Sequence, residues 1–212
     1  MKRIISDTAI GLAAAAAFAA LCWSSAAQGA PAASSAGLMY AQDVTPLYEG
    51  IHGGAAIGSI TPGTAVTPSV GPQAGGVREA VIVEGWSAQG AGSVLYAAPD
   101  QRIILATLTA GAVTQRKLLE QRRDDYGTVW KHVQISGYVS SKHLVPDVAT
   151  VWSAGQELYD ARCSACHALH APTEFTANQW PGILQTMVKN AALDPEQATL
   201  VTRYLQAHAR QQ

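Results

Sequence analysis

Cys163 and Cys166 stand three residues apart and His167 follows directly, giving Cys163-Ser164-Ala165-Cys166-His167. Two thiols and an imidazole at this spacing have three chemistries open to them: a redox dithiol, half of a zinc site, or thioether attachment of a c-type haem. A thioredoxin-like dithiol needs a strand–helix–strand setting that the flanking sequence lacks. A zinc site needs further ligand pairs, which no other cysteine here can complete. The requirement for haem is more specific and is met. Two thiols add to the two vinyl groups on one porphyrin edge, and the adjacent imidazole falls under the iron as proximal ligand. The motif therefore predicts one covalently attached haem c, anchored by Cys163 and Cys166 and ligated by His167.

The opposite axial position is less determined. Met187 lies 20 residues beyond His167, in Trp180-Pro181-Gly182-Ile183-Leu184-Gln185-Thr186-Met187-Val188, and is the only methionine near the motif. It is the expected distal metal ligand. Ile183, Leu184, Met187 and Val188 also fall on one helical face, so Met187 has a second reading as plain core. His170, His208, Asn178 and a vacant position are the alternatives.

Helices must position these residues. Val151, Trp152, Gly155, Leu158 and Tyr159 recur at helical spacing just before the motif. Asp194 followed by Pro195 and Gln197 predicts a capped helix start, and Leu200, Val201, Tyr204, Leu205 and His208 form its apolar stripe. Gly155 and Tyr159 against Tyr204 resemble the crossing of first and last helices in class I cytochromes c. An all-α domain of that class is expected over residues 149–212.

Residues 43–148 alternate as strands do. Thr45-Pro46-Leu47-Tyr48 aligns with Ser93-Val94-Leu95-Tyr96, and Gly63 with Gly111, at a period of 48 residues. Matching spacing with matching neighbours marks an internal repeat. The order of Leu-Tyr, Gly turn, Trp, Gly-Tyr-Val and His-Leu resembles the bacterial SH3-like barrel. Two small all-β SH3-like barrels are expected, at 43–90 and 91–148. Tyr48, Tyr96 and Trp130 read as barrel aromatics, with a ligand groove as the alternative. His52, His132 and His143 have no ligand-like spacing.

Lys2 and Arg3, the apolar run from Ala9 to Trp23, and the small residues up to Ala30 have the three-part layout of a cleavable export signal over 1–30. The run is shorter than the roughly 20 residues a spanning helix needs. Cleavage would remove Cys22 and leave 12 basic and 14 acidic residues in a periplasmic chain with no membrane span. Residues 31–42 read as a flexible leader. The whole sequence of 212 residues, with 14 Lys+Arg against 15 Asp+Glu, has no basic field for nucleic acid. Its 19 Gly and 10 Pro argue against an all-helical chain.

Residues Cys163 to His167, His170-Ala171-Pro172, Ala177-Asn178-Gln179-Trp180, Met187, and Leu193 through Ala209 together resemble one known domain. It is the carboxy-terminal monohaem domain of pentahaem c-type cytochromes that serve periplasmic trimethylamine-N-oxide and dimethyl-sulfoxide reductases. Arg102 to Thr109 and Val129 to Val133 are similar to the β linker of the same proteins. Those proteins begin with a membrane-anchored tetrahaem module that takes electrons from quinol. This chain shows a single C-x-x-C-H and an export signal instead. The resemblance implies a non-enzymatic electron carrier that passes single electrons to a molybdopterin-containing S- or N-oxide reductase, as a shuttle or dedicated subunit. A membrane cytochrome or quinol dehydrogenase would be its donor. The competing reading is a binding module for peptidoglycan or peptide, with a regulatory or gas-sensing haem.

Overall fold

Alternation along residues 78–88 and 129–140 buries every second side chain over much of each segment, and the two pair antiparallel from Arg78↔Ser140 to Ala88↔Trp130. They are the longest strands of a computed structural model that describes residues 37–69 and 78–211. The strands in chain order are β1 (Met39–Ala41), β2 (Thr45–Tyr48), β3 (Ala56–Ile60), β4 (Ala65–Pro68) and β5 (Arg78–Ala88). There follow β6 (Val94–Tyr96), β7 (Ile104–Leu108), β8 (Lys117–Arg123), β9 (Val129–Ser140) and β10 (Leu144–Val145). Four helices accompany them: α1 (Ala110–Val113), α2 (Val148–Cys163), α3 (Trp180–Gln185) and α4 (Pro195–Ala207). The expected export signal and the first half of the leader lie outside the described residues. Met39–Ala41, at the end of that leader, is strand β1, held between β4 and β10, and Ala41 is fully buried.

Strands β5, β6, β7, β3, β2 and β9 pair in that order, and β9 returns to β5, so six strands close a barrel. Strands β4, β1 and β10 continue outward from β5, and β8 from β9. The interior is filled by Leu47, Ile60, Val81, Val83, Leu95, Ala106, Ile135 and Val139. None of these exceeds 2% exposure, which is the dry, close-packed filling a small closed barrel needs.

The two separate barrels expected from the repeat are thereby replaced by one. Each copy supplies only three barrel strands, β2, β3 and β5 or β6, β7 and β9, too few to close alone. The repeat is nevertheless legible in the pairing. Pro46↔Ser59, Leu47↔Gly58 and Tyr48↔Ala56 correspond to Val94↔Thr107, Leu95↔Ala106 and Tyr96↔Ile104, each residue shifted by 48. The same irregularity falls between Leu47 and Tyr48 as between Leu95 and Tyr96. Where the halves meet, equivalent residues pair with each other, Ser59↔Thr107 in one seam and Gly85↔Val133 in the other. The barrel is a pseudo-twofold object. Gly63 and Gly111 break the symmetry: Gly63 turns with φ +72° against the Trp152 ring, whereas Gly111 sits in α1 with open space around it.

The helical end also departs from expectation. No all-α class I cytochrome c domain is seen, and the protein is mostly β with four short helices. Helices α2 and α4 do cross at the expected residues, and a Cβ on Gly155 would come within 2.7 Å of the Tyr204 Cβ. Helix α4 opens with the expected box, Asp194 accepting from the Gln197 N–H and the Gln197 side chain accepting from the Asp194 N–H. Its opposite side, however, is committed to the barrel. Arg203 Nε donates to Pro62 O at 3.1 Å, and Gln206 Nε2 donates to Arg102 O at 2.9 Å. Asn178 closes the seam, accepting from Arg102 N–H and donating to Asp100 O. Two helices of moderate length cannot enclose a core by themselves, and the barrel supplies the missing wall.

The β8–β9 turn is organised by one carboxylate. Asp124 accepts from Tyr126 N, Thr128 N and Trp130 Nε1, at 3.0, 2.8 and 2.8 Å. The Trp130 bond first, and the backbone donors after it, lower the carboxyl below its ordinary value of 3.8. A depressed carboxyl contributes stability that is complete above the unfolded-chain value and is lost as pH falls through the folded one. Acidification below about pH 4 is therefore expected to loosen this turn. The Trp130 indole N–H resonance should titrate there, and Asp124→Asn should abolish the step. An indole resonance indifferent to acid would show that the bonds do not hold the turn.

Candidate functional site

Cys163 is the last residue of α2, Ser164 caps it, and the Ser164 hydroxyl donates back to Asp160 O at 2.6 Å. Cys166 and His167 follow in an exposed turn, so the helix end delivers all three groups to one place. Both thiols are unpaired. Burial, then the nearby Asp160 charge, pushes the Cys163 thiol upward.

His167 has a defined tautomer. Its Nδ1 lies 2.7 Å from Ala168 O. A carbonyl can only accept, so Nδ1 donates, which in the neutral imidazole leaves the lone pair on Nε2. This is the arrangement by which a metal-ligating imidazole is oriented.

The loop after the motif is tied down from both sides. Tyr159 OH donates to His170 O at 2.9 Å, and Trp180 Nε1 donates to Pro172 O at 2.9 Å. Burial raises the Tyr159 hydroxyl to about 12, so it remains a donor. Phe175 stands edge-on to both His170 and Trp180, with centroids at 5.5 and 5.0 Å. Tyr159, Trp180, Leu184, Val201, Tyr204 and Leu205 form the apolar body behind the motif, with Cys163 and Phe175 at its margin. Leu169 remains 37% exposed beside it.

The structure separates the distal candidates. Met187 sits half-buried in the turn after α3, outside the apolar body into which Trp180 and Leu184 are packed. Its alternative reading as core is thus not what the packing shows. His170 is close to His167, with ring centroids 5.5 Å apart, and its Nδ1 lies 3.0 Å from Glu174 Oε2. His208 is elsewhere. It donates from Nδ1 to Tyr204 O and faces Trp152, at the opposite end of α2 from Cys163. Eleven helical residues put about 16 Å between those two positions. Asn178 spends both ends of its amide on the 100–102 loop.

Of the barrel aromatics, Tyr96 and Trp130 meet edge-on at 5.9 Å, while Tyr48 carries the Arg78 guanidinium at 3.4 Å from its ring centre. They do not form one groove. Sequence reasoning missed the outer-face stack of His132 on Trp86 at 4.9 Å, with Arg122 above. Cross-strand register alone, Trp86↔His132, could have revealed it. His143 was also unassigned, and its Nδ1 pairs with Asp43 at 2.7 Å.

One half-buried and one exposed thiol, an adjacent imidazole and an apolar margin are a donor set that a covalently attached haem requires. The family model described as dihaem cytochrome c matches residues 159–212, and the model described as TorC third cytochrome c domain matches residues 33–144. The protein is a c-type cytochrome. With just over half of the chain matched, it belongs to the family of the TorC third cytochrome c domain. That stretch contains no cysteine, so both cysteines outside residues 1–30 lie in the second matched region.

Among curated proteins, the chain is 30% identical to the cytochrome c-type protein TorY of Escherichia coli O157:H7 over 155 residues, covering 73% of this chain and 41% of that protein. It is 28% identical to the cytochrome c-type protein TorC of Escherichia coli K12 over 182 residues, 85% of this chain and 46% of that one. The chain thus spans less than half the length of these relatives. No solved structure gives a significant match. No helix among the described residues is long and apolar enough to cross a membrane.

Proposed function

We propose that this chain is an exported, periplasmic, monohaem electron carrier that delivers single electrons to a molybdopterin-containing S- or N-oxide reductase. The observation that carries the reading is the single cluster of Cys163, Cys166 and His167 at the end of α2, with Nε2 of His167 held free by the Ala168 carbonyl. Cys163 and Cys166 would hold the haem through thioethers. His167 would ligate the iron through Nε2, and Met187 is the proposed second ligand. When bound, the haem supplies a one-electron couple.

The remaining residues keep that couple in place. Tyr159 and Trp180 fix the loop between the proximal imidazole and Phe175, and the barrel carries the helical layer as a rigid mount. The donor is proposed to be a membrane cytochrome or quinol dehydrogenase. The reductase assignment rests on likeness to TorC and TorY and on the family resemblance carried by residues 163–209.

Mixing the reduced chain with a trimethylamine-N-oxide or sulfoxide reductase and its oxide should re-oxidise the haem. Omitting either component should leave it reduced, and His167→Ala should remove the transfer. Re-oxidation at the same rate without the reductase would remove the assigned partner. A methionine-to-iron charge-transfer band in the oxidised chain would identify Met187, since Met39 lies in β1.

A further inference from the structure

Between the barrel and the C-terminal helices lies a cleft of about 660 Å3. Cys163, Cys166, His167 and Met187 do not line it. Its walls carry two cations, Arg102 and Arg203, and no aspartate or glutamate. Hydroxyls and apolar groups make up most of the rest, with Ile104 37% and Leu184 2% exposed.

Arg203 is the unusual member. It is only 7% exposed, yet its one bond to protein runs from Nε to Pro62 O. Among the described residues neither Nη has an acceptor and no carboxylate pairs with it. Burial lowers it to about 10, so it stays charged at neutral pH. The Trp152 ring, 5.9 Å away, offers weak compensation. Anchoring α4 to Pro62 uses only one of the five guanidinium donors, and the unpartnered Nη atoms keep some contact with solvent. The two Nη groups form the planar fork that matches a carboxylate. Leu184 and Val188 beside it suit hydrocarbon, and the volume is that of a small-molecule site.

We propose that this cleft binds a small amphiphilic carboxylate, its anion on Arg203 and its hydrocarbon against Ile104, Leu184 and Val188.

Octanoate and 1-octanol share a chain length and differ in charge. Titrated separately into the full chain as isolated, and followed by the Arg203 Nε–H resonance, octanoate should bind about 10- to 100-fold more tightly, the range of a hydrogen bond to a charged group. Arg203→Gln should bring the two affinities together. Because Arg203 also bonds Pro62, a second variant guards against misfolding. Thr107→Trp, at an exposed position on β7, should weaken both ligands by filling the cleft from the barrel side. Equal affinity of the parent chain for the two ligands, no binding, or binding that leaves the Arg203 signal unmoved would each overturn the proposal.

Discussion

A chain with Cys163 and Cys166 both changed to serine is expected to carry no haem through denaturing electrophoresis, whereas the parent chain keeps its haem. The argument is one of valence. Beyond Cys22, which lies in the segment read as an export signal, these are the only thiols of the 212-residue sequence. A single replacement should leave one thioether and one unreacted vinyl group, hence a retained haem with a shifted absorption band. The double replacement should reduce covalent haem to background. Folding is not at stake in the same way, because the barrel core contains no cysteine and Cys166 is exposed. A double variant that still retains haem after denaturation would end the attachment scheme.

The largest expected effect on stability comes from a residue with no chemistry. Gly58, in β3, faces β7 so closely that a Cβ would fall on the Thr107 carbonyl oxygen and at 3.2 Å from the Leu108 Cα. Both obstacles are backbone, which cannot rotate away. Gly58→Val should therefore cost about 3 kcal/mol, at the upper end of overpacking penalties. For a chain of this size that is about 6–12 °C in melting temperature. Val is otherwise well suited to a strand, so propensity alone predicts the opposite sign. A variant that melts with the parent chain would show that the β3–β7 seam yields.

These two positions also mark what could be read beforehand. The Cys163-Cys166-His167 motif was legible because it is local: three side chains within five residues define it. The capping box of α4 was legible for the same reason. The 48-residue repeat was visible, and even the pairing within each copy follows it. What the pattern could not show is that Ser59 would pair with its own counterpart Thr107, and Gly85 with Val133. Alternation identifies which face of a strand is buried and is silent on whether the neighbour comes from the same copy. The helical end failed similarly. The apolar stripe of α4 was read correctly as a face, but Arg203 and Gln206 are buried too, on the side that meets the barrel. Polar residues conceal such a contact. His208 was a ligand candidate because a stripe gives a direction around the helix, and its distance from Cys163 depends on how α2 lies across it.

Self-paired seams leave an ambiguity that the chain must resolve as it folds. Strand β3 meets β7 along an edge that maps onto itself, so the first half of one molecule could pair with the first half of another and satisfy the same registers. Only the contacts unique to one half break this degeneracy. Gly63 under Trp152, Pro62 against Arg203 and the 100–102 loop against Asn178 tie a particular copy to the helices that follow it. The helical layer thus acts as an address label on an almost palindromic ring, marking one half as first and the other as second and opposing the pairing of two like halves.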